Sequence, residues 1–150
     1  MALSSTNNVR DSKVKMDNGD TALNVHVVQN DGEAIKVELG TKGISQNIYN
    51  EINSTPVGVE TLIVSYTVPL NMKFDLSNAT ASGENIAEYI VKVNDDVVQK
   101  KRSWWSDFNQ DFNFQELILS ASDKVEIFVK NNGKNTVSFN ATIIGGLYDE

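Results

Sequence analysis

The chain has no cysteine, a single histidine (His26), two prolines and no long apolar run. Each absence closes off a class of architecture or chemistry. Without thiols neither a disulfide framework nor a thiolate metal site can form, so stability must come from packing, backbone pairing or assembly. A Ser-His-acid triad would have only His26 as its base, and no serine stands in a G-x-S-x-G elbow. No stretch approaches the ~18 apolar residues of a spanning helix, which predicts no membrane partner. The N-terminal M-A-L-S-S-T-N-N-V-R-D-S-K lacks a signal-peptide core, so a soluble protein made in the cytoplasm is expected. Basic charge is also scarce: the formal net charge of −7 weighs against a nucleic-acid partner, because phosphate binding needs a concentrated positive footprint. Glycines are isolated and build no phosphate-cradling loop.

What is present reads as strands. At 150 residues, 40% of them apolar, the chain suits one globular core. Such a chain buries roughly 68–70% of the surface its unfolded form exposes. Its central stretch runs from Ser82 to Trp105, where Tyr89, Val91 and Val93 alternate with Ile90, Lys92 and Asn94 in the two-residue period of a half-buried strand. Asn94-Asp95-Asp96 supplies a turn and Val97-Val98-Gln99 a return strand. The basic run Lys100-Lys101-Arg102 then meets Trp104 and Trp105. Neighbours on a strand face opposite ways, so one indole at most is expected in the core and the other at a rim or contact.

Residues 1–20 are polar, with Leu3, Val9, Val14 and Met16 as isolated apolar anchors, and read either as a flexible tail or as an arm that pairs with a neighbour. Ala22–Val28 and Glu33–Leu39 flank Gln29-Asn30-Asp31-Gly32 and are predicted to form an outlying hairpin. Ile44 to Asn53 fits both a helical stripe and a strand; its β-branched residues favour the strand. Further strands follow over Glu60–Val68, with Leu62, Val64, Tyr66 and Val68 on one side, then from Met72 to Ser77 and from Val125 to Val129. Val137 to Ile143 closes the series before Gly145-Gly146. Phe108, Phe112 and Phe114 mark a crossing between sheets, and Asn131 to Asn135 reads as a hairpin loop. Seven or eight short strands from residue 56 onward, with little helix, are the mark of a sandwich or barrel.

Sites of chemistry are few. His26 lies in a strand opposite Leu23, Val25 and Val27 and reads as a surface residue. Asp17-Asn18-Gly19-Asp20 lacks the further ligands of a calcium loop and reads as a polar turn. Paired carboxylates such as Glu84 with Glu88, or Asp95 with Asp96, have the groups for glycosidase chemistry, but the second pair occupies a turn. Three N-x-[ST] matches, at Asn53, Asn78 and Asn140, are chance matches without a secretory signal. Lys100 to Trp105 offers stacking and positive charge to a sugar or a nucleic-acid strand; the plainer reading is edge packing or a subunit contact.

Several stretches together carry a resemblance: V-E-T-L-I-V-S-Y-T-V-P (Val59 to Pro69), S-G-E-N-I-A-E-Y-I-V-K-V-N (Ser82 to Asn94), K-K-R-S-W-W (Lys100 to Trp105), F-N-F (Phe112 to Phe114) and F-N-A-T-I-I-G (Phe139 to Gly145). Over residues 57–147 the chain resembles a family of small structural proteins of tailed bacteriophage virions. Members carry P-A-G-K where this chain has Pro69-Leu70-Asn71-Met72-Lys73, a departure confined to a turn. The resemblance implies a virion component without a catalytic motif, whether in capsid decoration, neck or collar, or tail.

The expectation is therefore an all-β chain: an antiparallel β-sandwich of jelly-roll type over residues 44–150, with an extended arm and hairpin over residues 1–43. No catalytic residue, metal or cofactor is assigned. The interface candidates are Arg10, Val14, Met16, Lys101, Arg102, Trp104, Trp105 and Phe108. Expected partners are other copies of the chain, in a trimer or larger ring, and other virion structural proteins. The competing reading is a carbohydrate-binding module that recognises a host surface glycan through Trp104 or Trp105.

Overall fold

The computed structural model describes residues 43–150 in full and, before them, the backbone of Arg10–Val14 and Leu23–Val27. The chain divides into two units, Met1–Thr41 and Lys42–Glu150. In the first, β1 (Arg10–Val14) pairs antiparallel with β2 (Leu23–Val27), Arg10 opposite Val27 and Val14 opposite Leu23. On this side β2 takes a partner from the polar segment before it. Backbone pairing needs no apolar periodicity, and R-D-S-K-V has too little of it to be read as a strand. Met16, the Asp17–Asp20 turn and the Glu33–Leu39 strand lie outside the described residues.

The second unit is built from β3 (Ile44–Thr55), β4 (Glu60–Thr67), β5 (Met72–Gly83), β6 (Ala87–Val93), β7 (Asp96–Arg102), β8 (Gln110–Leu119), β9 (Lys124–Asn131) and β10 (Val137–Asp149). The first sheet has the order β3-β10-β5-β8 and the second β4-β9-β6-β7, with every pairing antiparallel. Lettered B to I in chain order, these are the B-I-D-G and C-H-E-F sheets of a jelly roll, as expected. Seven strands follow residue 56, and the eighth is β3, the segment that also fitted a helical stripe.

In this order β6 and β7 are the only consecutive strands of the unit that share a sheet as neighbours. Their turn has Asn94 and Asp95 at φ 49° and 71°, the two left-handed residues of a type I′ hairpin. The Asn131–Asn135 segment is not a hairpin loop but a crossing from the second sheet to the first. Asn131, fully buried, organises it: its Nδ2 donates to Thr55 O (3.1 Å) and Asn135 O (2.9 Å), and its Oδ1 accepts from the Gly133 N–H (2.9 Å).

Alternation sends Phe74, Leu76, Ala79, Phe112, Phe139, Ala141 and Ile143 from the first sheet, and Tyr89, Val91, Val125, Ile127 and Val129 from the second, into one core. Each large side chain so buried contributes about 1.5–3 kcal/mol. Tyr89 and Phe139 meet edge-on across the sheets, centroids 6.1 Å apart. Two expectations need correction. A register shift between Leu62 and Val64 makes Ile63 an extra residue on β4, so Ile63 enters the core and Leu62 is left outside. Strand β10 also runs through Gly145-Gly146 rather than stopping before it: a Cβ on Gly145 would lie 2.4 Å from the Asp75 carbonyl oxygen and 2.4 Å from the Phe74 ring. The glycine permits this close pairing of β10 with β5 at the register shift between Ile144 and Gly145.

All four edge strands are interrupted. Ser54 takes φ 56° beside the shift on β3, Ile63 bulges on β4, Val98 is unmatched on β7, and Glu116 takes φ 54° in an irregular β8. Bulged edges resist strand addition, which leaves faces and loops as the contact surfaces of this unit.

Candidate functional site

Past the β6–β7 hairpin, alternation divides the basic run. Lys100 and Arg102 lie on the outer face of the second sheet and converge on Glu88, with Arg102 Nε 2.8 Å from Oε2 and Lys100 Nζ 3.5 Å from Oε1. The Arg102 hydrogen bond, aided by the Lys100 charge, holds the Glu88 carboxyl below its ordinary range. Lys101 turns toward β8, where its ammonium donates to the Asp111 carbonyl and lies 5.4 Å from the centre of the Phe112 ring. The run is thus three partnered cations, one of them bridging the two sheets.

Ser103 ends this alternation. It is buried, its Oγ accepts the Ala87 N–H (2.8 Å) and its own N–H donates to Ala87 O (2.9 Å). The chain then folds back on itself: Trp104 and Asp107 exchange backbone hydrogen bonds of 3.1 and 3.0 Å, and the Asn109 N–H donates to Asp107 Oδ1 (3.0 Å). Trp104 and Trp105 therefore stand on a tight turn, not on a strand, and both indoles face outward, 68% and 71% exposed. The expectation that one could enter the core fails for this reason. Phe108 packs edge-on against Trp105, centroids 6.3 Å apart, and braces one side of that ring. A cavity of about 230 Å³ opens beside the turn, lined by both indoles, Arg102, Ser103, Ile86, Ala87 and Asn132.

Of the sequence candidates, Arg102, Trp104 and Trp105 thus meet at one cavity, and Phe108 supports it. Lys101 belongs to the seam between the sheets, and Arg10 and Val14 belong to β1 of the other unit. Sequence reading missed Ile86 and Asn132, which reach the cavity from the segments before β6 and after β9. Only the strand order brings those segments together.

The strand order also sorts the charges. The outer face of the second sheet presents Lys92, Lys100, Arg102, Lys124 and Lys130 against Glu60, Glu88 and Glu126. Several are internally paired: Lys92 with Glu60, and Lys124 with Glu126 at 3.1 Å. Lys92 also caps the Phe128 ring at 4.3 Å. The outer face of the first sheet presents Glu51, Asp75 and Asp111 against Lys73. Around them lies a polar lattice in which Asn78 donates to Asn113 (2.8 Å), Ser82 to Asn109 (2.6 Å), Ser138 to Asn53 (2.7 Å) and Tyr49 to Glu51 (3.0 Å). The bond to Glu51 pushes the Tyr49 phenol up from its ordinary value. One outer face is net positive and the other net negative.

The carboxylate pairs have local partners: Glu84 accepts from the Ser138 N–H, Glu88 from Arg102, and Asp95 forms the hairpin turn. Among the described residues no group of three or more His, Cys, Asp or Glu is placed to hold a metal ion, and no helix is long and apolar enough to cross a membrane.

No family model matches the chain and no curated protein matches it, so neither comparison supports the tailed-phage resemblance over residues 57–147. Among solved structures, the chain is similar to a chain of the virus-like particle of the giant freshwater prawn Macrobrachium rosenbergii extra small virus. The identity is 8%, with 85% of this chain and 97% of that chain covered, at a TM-score of 0.40. A second likeness is to a chain of infectious bursal disease virus, Gt strain, at 12% identity and a TM-score of 0.32, covering 82% of this chain and 37% of that one. The jelly-roll assignment rests on the strand order of this chain and not on either likeness.

Proposed function

We propose that the chain is a non-enzymatic structural protein of a virion, whose copies join through the opposed outer faces of the jelly roll. The positive face of the second sheet on one copy meets the negative face of the first sheet on the next. The observation that carries this reading is the net difference of charge between the faces: Lys92, Lys100, Arg102, Lys124 and Lys130 against Glu60, Glu88, Glu126 and the turn residue Asp95 on one side, and Glu51, Asp75 and Asp111 against Lys73 on the other. Complementary faces steer encounter and fix register. A contact between two different faces is heterologous and closes into a ring when the rotation per copy divides a full turn. The bulged edges agree with it, since they direct association away from sheet extension. The setting in a tailed phage, as capsid decoration, collar or tail component, follows the resemblance over residues 57–147. The Met1–Thr41 unit is assigned to holding a neighbouring subunit.

Sedimentation velocity of the purified chain tests the reading. Association at low salt that dissolves as the Debye length falls from ~30 Å at 0.01 M to ~3 Å at 1 M supports it. A monomer at every salt and protein concentration would overturn it.

A further inference from the structure

Two exposed tryptophans are a large apolar area for a loop to leave in water, and the fold does not use them: the core closes at Ser103, behind the turn. The turn is nonetheless held in one shape by the paired Trp104–Asp107 backbone bonds, the Asp107–Asn109 bond and the Phe108 brace. Rigid aromatic groups presented to solvent beside a cavity are a prearranged binding surface, because little ordering remains to be done on binding.

The cavity's size and polar groups narrow the ligand. At about 230 Å³ it falls below the ~300–1,000 Å³ of pockets for drug-sized molecules and holds a single ring. Glu88 takes the Arg102 Nε–H, and among the described residues the two terminal amino groups of that guanidinium have no acceptor, with the side chain 69% exposed. They form a fork suited to a planar carboxylate. Asn132, exposed, adds an amide to the lining. We propose that this cavity binds one pyranose ring carrying a carboxylate, as in a uronic-acid residue of an acidic glycan, with the ring's C–H face on an indole, the carboxylate on Arg102 and a hydroxyl on Asn132. A nucleic-acid strand needs several phosphate contacts, and Arg102 is the one cation lining the cavity, so a stacked nucleobase with its phosphate on Arg102 is disfavoured.

Both tryptophans of the chain stand in this turn, so emission of the full-length protein excited selectively at tryptophan, beyond the absorption of its four tyrosines, reports on the site. Four probes separate the outcomes: methyl glucuronide, methyl glucoside, acetate and a short oligothymidylate. The expected result is a saturable emission change with methyl glucuronide, about tenfold weaker binding of the uncharged glucoside, and none with acetate. Trp105→Ala abolishes it, Trp105→Phe retains part of it, and Arg102→Gln reduces glucuronide binding to the glucoside level. Sedimentation of Trp105→Ala is unchanged, because Arg102 is the residue the site shares with the assembly face and Trp105 is not. Equal response to glucuronide and glucoside, a response to acetate, tighter binding of oligothymidylate, or no saturable response to any sugar would each overturn the proposal.

Discussion

Replacing Asn131 by alanine perturbs the corner where β3, β9 and β10 meet. The side chain is fully buried and makes three hydrogen bonds, to Thr55 O, to Asn135 O and from the Gly133 N–H. Each such bond contributes roughly 0.5–1.5 kcal/mol net, and truncation strands its partners away from water, so the expected loss is about 2–4 kcal/mol. For a unit of this size that corresponds to a melting temperature roughly 10–20 °C lower, read by circular dichroism. Asn131→Asp is expected to lose more, because it removes the donor to two carbonyls and places a carboxylate at a site with no exposure. The effect should reach the cavity as well, since Asn132 lines its wall. A melting temperature within about 3 °C of the parent for Asn131→Ala would refute this account of the corner.

Three further outcomes are expected. Gly145→Ala costs about 1–3 kcal/mol in a denaturant titration, because its Cβ meets the Asp75 backbone at 2.4 Å, whereas Gly146→Ala, whose nearest neighbour is the Tyr148 hydroxyl at 3.1 Å, costs less; equal losses contradict the packing given for β10. Tyr89 is fully buried, burial pushes its phenol pKa well up, and among the described residues its hydroxyl has no hydrogen-bond partner. Tyr89→Phe should therefore leave stability unchanged or raise it by up to about 1 kcal/mol, and a clear loss would reveal a partner. Because the folded pKa of Glu88 is depressed by Arg102, its contribution is complete above the unfolded value near ~4.3 and lost as pH falls through the lower folded value. With Arg102 and Lys100 largely solvated, Glu88→Gln costs only about 0.5–1 kcal/mol at pH 7 and nothing near pH ~2; an effect that persists in acid contradicts the ion pair.

The strands were legible because alternation of apolar and polar residues survives in a chain whose core is fed from both sheets. The jelly-roll class followed from their number and spacing. The connections were less so. An Asn-rich turn looks the same whether it reverses a chain within one sheet, as at Asn94-Asp95, or carries it to the other, as after Asn131. Bulges also defeat parity, and one extra residue at Ile63 turned Leu62 to the outside. The aromatic turn differs again: adjacency in sequence reads Trp104 and Trp105 as strand neighbours, whereas the buried Ser103 and the Trp104–Asp107 bonds end the strand before them. Lys100-Lys101-Arg102 read as one positive patch, yet alternation sends Lys101 to the seam with β8 and the other two to Glu88. The acidic face had no local signal, since Glu51, Asp75 and Asp111 lie on three separate strands that only the order β3-β10-β5-β8 gathers.

Mixing two face-disabled variants tests the assembly claim most directly. Lys100→Gln with Lys130→Gln neutralises the positive face, and Asp75→Asn with Asp111→Asn neutralises the negative one. Each alone should sediment as a monomer, and their equimolar mixture should form a two-chain complex and nothing larger, because each retains one competent and complementary face. Full-sized assemblies from either variant alone, or no complex on mixing, would contradict head-to-tail joining of the two faces.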